Sequence, residues 1–427
     1  MSPGNGRKGD KEMEVFVYEN WSDTNPEKLG TLFVDGNKGK EVVSFEYNIE
    51  WLQEHPCSFF FDPDLALYQG RQYTPLGKNM FGVFADSCPD RWGRLLMKRR
   101  EAILAKKEDR KPKRLTEMDF LLGVYDETRM GALRFAEEEN GPYLANDQDL
   151  ATPPWTTLRK LESASLAFEK NDDGMEELWL KQLVAPGSSL GGARPKASVE
   201  APDGSLWIAK FPSQNDDMNK GAWEMVVHDL AVMCGLDVPE ARLENFSRNG
   251  STFLIKRFDR AGTQRIHYSS AMTMLGRTDG AHAADGAGYL DLVSFIKQYG
   301  AAPKKDLQEL WRRIVFNMAV SNTDDHLRNH GFLLLKEGWR LSPVFDVNPD
   351  ADGDVLSLNV DETNNLIDFK LAASAASMYE IPVQQVWTII NDIKEIVAEH
   401  WKKLANQYGI SRSEIEYMTP AFDMRFK

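Results

Sequence analysis

The chain has 427 residues, of which 42 % are hydrophobic, 11 % aromatic and 27 % charged, and its formal net charge is −14. This leaves room for roughly two to four globular domains and excludes a disordered composition, while the acidic excess argues against the whole chain as a free-standing binder of nucleic acid or anionic membrane, because phosphate affinity comes from clustered Lys and Arg. The three cysteines, Cys57, Cys88 and Cys234, are far apart and form no CxxC pair, so neither a disulfide framework nor a zinc ribbon is expected and a reducing, cytoplasmic setting fits.

Residues 1–13 lack the apolar stretch of a signal peptide and read as a flexible start. No run of about eighteen apolar residues predicts a membrane span. Alternation in EVFVYEN and LGTLFVDG predicts two strands joined by a short turn, and VSFEYNIEWL extends a small β-rich unit. Helices follow from near residue 78. In MFGVFADSCPDRWGRLLMKRREAIL, Ser87 and Asp90 have capping-box spacing, Pro89 suits a first helical turn, and Trp92, Leu95, Leu96 and Ile103 form an apolar stripe. Between Lys98 and Arg114 nine Lys or Arg face three acids, a solvated helix face and loop or a local patch that could touch DNA. A helix through MDFLLGVYDE and a strand GALRFAEE precede ENGPYLANDQDLATPP, which places a domain boundary near residue 150.

Beyond it, a helix over 175–183 leads into APGSSLGGARPK and then two strands around a DG turn in ASVEAPDGSLWIAKFPS. The stretch KGAWEMVVHDLAVMCGLDVPE puts Trp223, Val226, Val227, Leu230, Ala231 and Cys234 on one helical face, with Gly235 as a cap. STFLIKRFDR reads as a strand, and amphipathic helices dominate from residue 290. The expected architecture is α+β: an N-terminal α/β domain over 14–150, a strand-bearing segment over 151–262 and a mostly helical one over 263–427.

Residues 321–331, SNTDDHLRNHG, crowd two aspartates, two histidines and two asparagines into eleven positions. Asp324 and Asn329 are five apart, the interval between the base and the metal-binding Asn of a kinase catalytic loop. The segment GFLLLKEGWRLSPVFDVNP predicts a hairpin that returns Asp346 to Asn329. Asn329 and Asp346 then offer hard oxygens to Mg²⁺ while Asp324 takes a hydroxyl proton. Gly191 and Gly192 leave backbone N–H groups free to approach phosphate. Ala193 and Arg194 stand where a Walker A loop needs Lys and Ser/Thr, so a P-loop NTPase is disfavoured. Lys210 ends the strand LWIAKFP, and Glu224, fourteen residues on, can pair with it; a surface ion pair is the plainer alternative. His326 and His330 are four apart but lack the Glu of HExxH. His326 is therefore expected to hydrogen-bond within the loop and position Asp324 rather than hold zinc.

These segments together resemble the HipA family of bacterial serine/threonine kinases, the toxin halves of HipBA toxin–antitoxin modules. SSLGGARPK resembles the family's glycine-rich loop, IAKFP its nucleotide lysine, NTDDHLRN its catalytic loop, LSPVFD its metal segment and FGVFADSCPDRWGR its N-terminal signature, from about residue 14 to near 415. The resemblance implies a bilobal, protein-kinase-like core with an N-lobe over 151–262 and a helical C-lobe over 263–427, Asp324 as base, Asn329 and Asp346 as Mg²⁺ ligands, Lys210 on the ATP phosphates, backbone contacts to nucleotide from Gly191 to Lys196, and adenine against Phe258 and Asp259. It also implies autophosphorylation at Ser189, beside Ser188. A phosphate there would repel ATP from the loop. A HipB-like DNA-binding antitoxin is the implied partner, with DNA held mainly through it. A protein bearing Ser or Thr is the implied substrate, as aminoacyl-tRNA synthetases are for some relatives. Arg194 and Pro195 depart from the loop pattern, and the DFG triplet reads Phe345, Asp346, Val347. The rival readings are a silent kinase-shaped binding module and a small-molecule kinase.

Overall fold

Antiparallel pairing of alternating strands builds the first unit. The strands β1 (Met13–Glu19), β2 (Glu27–Asn37), β3 (Lys40–Tyr47), β4 (Gln72–Tyr73) and β5 (Leu133–Ala136) form one sheet in the order β4-β3-β2-β1-β5. Val15, Val17, Leu32, Phe45, Leu133 and Phe135 face a core completed by Trp51, Phe81 and Phe84, as the period of two requires. The computed structural model describes residues 12–21, 25–37, 40–55, 61–146, 152–170, 183, 192 and 194–427. The expected helix over 175–183 lies outside them except for Leu183.

The capping-box expectation is corrected. FGVFADSCPDRWGR forms two helices, Gly82–Asp86 and Arg91–Lys107, with Ser87 closing the first. Asp90 caps the second by accepting from the Gly93 amide at 2.8 Å, so Pro89 stands before the helix rather than in its first turn. Leu95 leaves the predicted apolar stripe and is exposed. Trp92 and Leu96 are buried, but against the next unit.

That unit is a four-stranded antiparallel sheet of β6 (Lys196–Glu200), β7 (Leu206–Lys210), β8 (Ala241–Glu244) and β9 (Thr252–Lys256), ordered β6-β7-β9-β8. Trp92 and Leu96 share a core with Val199, Trp207 and Leu254. The Trp92 indole donates to the Lys196 carbonyl at 3.0 Å. The helix Lys220–Met233 lies across the sheet with the predicted face buried, and Gly235 adopts φ +71 at its end. A short ribbon, β10 (Arg260–Ala261) and β11 (Gln264–Arg265), connects to the last unit.

There β12 (His267–Ser270), β13 (Gly331–Leu335) and β14 (Gly338–Leu341) make a three-stranded sheet beside the helices Tyr289–Tyr299, Pro303–Val320 and Val386–Gln407. Pro303 starts the second of these at N1, where its missing N–H is harmless. Leu307, Leu310, Trp311, Ile314, Val315 and Met318 bury that helix in the largest core. Among the described residues no helix is long and apolar enough to cross a membrane. Cys88 and Cys234 are free and buried; Cys57 lies outside the described residues.

The first and last units meet around His267. Its ring lies 4.7 Å from Trp21, 5.5 Å from Phe61 and 5.9 Å from Trp339, and neither nitrogen has a hydrogen-bond partner. Burial pushes its pKa down to about 3. A depressed histidine stays neutral in the fold while the unfolded chain takes up a proton, so stability is lost as pH falls from about 6.5 toward 3. The expected loss between pH 7 and pH 4 from this group is about 3 kcal/mol. Urea titrations of wild type and His267→Phe should show the loss shrinking by that amount in the variant; parallel pH profiles would contradict it.

Candidate active site

The buried helix Pro303–Val320 ends at Ser321, whose φ of +50 turns the chain sharply into the loop 321–330. The loop is built on Asp325. Its carboxylate accepts from the Tyr289 hydroxyl at 2.5 Å, the Asn317 amide at 2.8 Å and His330 Nε2 at 2.8 Å. Burial works to raise the Asp325 pKa, but His330 and the hydrogen bonds prevail and hold it below the usual carboxylate range. His330 is thereby committed to the scaffold. The pairing was not read from the sequence, in which the two adjacent aspartates are equivalent; a buried tyrosine and asparagine from neighbouring helices separate them.

With Asp325 turned inward, Asp324 faces out into a cleft. Its pKa is raised, first by partial desolvation and then by repulsion from Asp346, Asp325 and Asp350, with His326 pulling the other way. The His326 amide donates to the Asp324 carbonyl at 2.9 Å, and its buried Nδ1 has no partner. Asn329 donates through Nδ2 to the same carbonyl at 3.0 Å. Its Oδ1 is buried with no hydrogen-bond partner. An orphaned amide oxygen in a site of carboxylates is what a hard cation would use.

The predicted hairpin forms, with Leu335 paired to Gly338. Gly338 has φ +128, and a Cβ there would meet the Tyr299 carbonyl at 3.1 Å. The return places Phe345 in the core, 5.5 Å from Phe258. Asp346 takes φ +59, a left-handed conformation that costs on the order of 1 kcal/mol for a non-glycine residue and clusters at functional sites.

Lys210 receives Asp346 directly. Its Nζ donates to Glu224 Oε1 at 2.5 Å and Asp346 Oδ1 at 2.7 Å. Lys210 is 8 % and Glu224 6 % exposed, so the pair is not a surface bridge. Burial disfavours the ammonium, yet the fields of Asp346 and Glu224 outweigh it and raise the Lys210 pKa. The same lysine lowers Asp346 against the effect of burial. Lys210, Glu224 and Asp346 thus form one hydrogen-bonded group, and Asp346 and His326 act electrostatically on Asp324.

Of the glycine-rich loop, Ser188, Ser189, Gly191 and Ala193 lie outside the described residues. Gly192 has φ +89, and a Cβ built on it would point at Lys196 Nζ, 3.7 Å away. Arg194 is held bidentate by Asp216, at 2.7 Å twice, and is turned to that segment. Lys196 pairs with Asp90 at 2.7 Å, both buried. This contact between the first and second units is the partner missed when Asp90 was read as half of a capping box.

Phe258 and Asp259 diverge. Phe258 lies in an apolar wall with Phe345 and Tyr268. Asp259 is fully buried: Arg257 binds it at 2.8 and 2.6 Å, Arg260 at 2.7 Å and the Gly131 amide at 2.8 Å. Its carboxylate belongs to a clamp between units. The basic run is likewise solvated and internally paired, Arg110 with Glu101 and Glu108 and Lys113 with Asp119.

A family model described as the HipA-like C-terminal domain matches residues 188–401, half of the chain. Among curated proteins, Y4mE of Sinorhizobium fredii, named as a candidate kinase, is 29 % identical over 182 residues, 37 % of this chain and 41 % of Y4mE. A candidate kinase of Haemophilus influenzae is 26 % identical over 193 residues, 40 % of this chain and 55 % of that protein. The matches therefore span about half the length of these relatives. Among solved structures, HipA of Shewanella oneidensis, determined with HipB and operator DNA, superposes with a TM-score of 0.67 at 15 % identity over 96 % of each chain. The fold is that kinase-like fold along nearly its whole length.

Proposed function

This chain belongs to the HipA-like family, and from that premise we propose that it is an ATP- and Mg²⁺-dependent serine/threonine protein kinase. The observation that carries the reading is Lys210, buried between Glu224 and Asp346 at 2.5 and 2.7 Å. An ammonium this enclosed is kept charged by its two acids and is available to neutralise phosphate oxygens. Glu224 orients it from the helix; Asp346 gives it up in part when nucleotide enters.

Asn329 and Asp346 would hold the magnesium ion, and the orphaned Asn329 Oδ1 fits that role. When bound, the ion supplies charge neutralisation for the phosphates. Asp324 accepts the proton of a serine or threonine hydroxyl as that oxygen bonds to the γ-phosphorus and the bond to the ADP oxygen breaks. Partial desolvation raises the Asp324 pKa, which moves the base toward working pH. Gly192 and its neighbours would pass their amides to the phosphates, and Ser189 is the proposed site of self-modification. A HipB-like antitoxin is the proposed partner, by analogy with the Shewanella assembly, with DNA reached through it and the cytoplasm as the place of action.

The test is incubation of the purified protein with Mg·ATP, followed by intact mass and phosphopeptide mapping. One added phosphate at Ser189, or transfer to a protein serine or threonine, is expected. A protein that neither transfers phosphate nor turns over ATP would overturn the reading. Asn329→Ala should raise the Mg²⁺ concentration needed for half-maximal turnover by roughly tenfold or more, read from a magnesium titration at fixed ATP.

A further inference from the structure

A cleft of about 580 Å³ runs from Gly192 past Asp324, His326 and Arg328 to Arg91, Arg94 and the turn at 278–282. One wall is the N-terminal unit and the other is the loop that carries Asp324. Several of the charges lining it are already neutralised within the protein. Asp90 pairs with Lys196 at 2.7 Å, and Arg94 holds Glu117 at 2.7 Å through Nη1 and Nη2; Asp86 is buried, accepts from Ser269 and Ser270, and lies in the field of Arg328. His282 pairs with Asp285 at 2.5 Å. Two cations are less well satisfied. The side chains of Arg91 and Arg328, 78 % and 30 % exposed, share the carboxylate of Asp279 at 3.5 and 3.4 Å, beyond the usual N–H···O range. Two guanidiniums from different units therefore share the one exposed carboxylate of Asp279 across the cleft, with the buried Asp86 and Asp90 in the field of Arg328 and Asp324 on the same surface.

We propose that this cleft receives the phosphoacceptor segment and that Arg91 and Arg328 select one with Asp or Glu a few residues from its serine or threonine. The inference rests on the kinase reading of Asp324. A guanidinium binds a carboxylate best as a planar bidentate pair, and Asp279 supplies that geometry to neither arginine. An incoming carboxylate completes one pair and leaves Asp279 to the other. An uncharged segment gains nothing there, and a lysine-bearing one must compete with both arginines for Asp279. Arg91 and Arg328 are thus specificity-determining residues, and Asp279 is a placeholder that the acceptor displaces.

The test uses the full-length protein and a set of serine peptides that differ only in carrying Asp, Ala or Lys at each flanking position. Phosphate transfer from Mg·ATP and binding by fluorescence anisotropy are read on the same peptides. In wild type the Asp peptides are expected to exceed the Ala peptides by about tenfold at one or two positions, with the Lys peptides lowest. Arg91→Glu, a charge reversal on an exposed side chain, should bring the Lys peptides above the Asp peptides. Equal values for the three peptides, or an Asp preference unchanged in Arg91→Glu, would overturn the proposal. Binding in the expected order without phosphate transfer would uphold the cleft's selectivity and remove the kinase reading instead.

Discussion

Asp324→Asn is expected to lower phosphoryl transfer by roughly 10²- to 10⁴-fold, the contribution of a positioned general base, while the protein folds and binds ATP as before. The loop does not depend on this carboxylate. Its scaffold is Asp325, with Tyr289, Asn317 and His330 around it, and the Asp324 contact to Asn329 runs through the backbone carbonyl. The side chain is instead repelled by Asp346, Asp325 and Asp350. Removing its charge relieves that repulsion, so the melting temperature should stay level or rise slightly as the rate collapses, the usual relation between a strained functional group and stability. Single-turnover kinetics and thermal melts on the same preparation check both halves. Retained transfer would remove Asp324 as the base, and a large drop in melting temperature would make it a structural residue.

Asp259→Ala is expected to destabilise the protein by about 3–5 kcal/mol, the effect of stripping the partner from buried charges. Arg257 and Arg260 both close on this carboxylate. Arg257 also donates to the Thr128 carbonyl at 2.6 Å, and Arg260 to the Arg129 carbonyl at 2.8 Å. One acid therefore fastens the end of the second sheet to residues 128–131 of the first unit. Burial would push its pKa up, but the two arginines hold it down at about 2. A depressed carboxylate contributes stability above its unfolded value near 3.8 and loses it as pH falls toward 2. The deficit of the variant should therefore be constant from pH 5 to 8 and narrow only in strong acid, a window distinct from that of His267. Urea unfolding at several pH values reads this directly. An effect below about 1 kcal/mol at pH 7 would show that the clamp is dispensable.

Much of the site was legible in the chain because each part is marked locally. Asp324 and Asn329 follow an amphipathic helix and precede a hairpin whose turn is announced by Lys336, Glu337 and Gly338. Lys210 ends an apolar strand, and Glu224 lies within a helix that has a continuous apolar face. Periodicity and turn chemistry act over a few residues, so they can be read without knowing the fold. The buried pairings of Asp90 and Asp259 are illegible in the chain for the opposite reason. Asp90 has a good local role as a cap, and its buried bond to Lys196 spans more than a hundred positions. KRFDR looks like a charged strand end; only the approach of Gly131, 128 residues away, encloses it. Leu95, placed on an apolar stripe, is exposed because the helix turns Trp92 and Leu96 toward a sheet formed much later in the chain.

The amino-acid order alone determined the succession of strands and helices and the hairpin after the 321–330 loop, since these follow from side-chain alternation, backbone preference and short spacing. Only the tertiary structure decided which charges are buried: that Asp325 is scaffold while its neighbour Asp324 is exposed, that Asp259 is a clamp, and that Arg91 stands opposite Arg328. Burial of a charge is stable only when a partner arrives to neutralise it, and that partner is supplied by packing between units, over distances the local pattern does not encode.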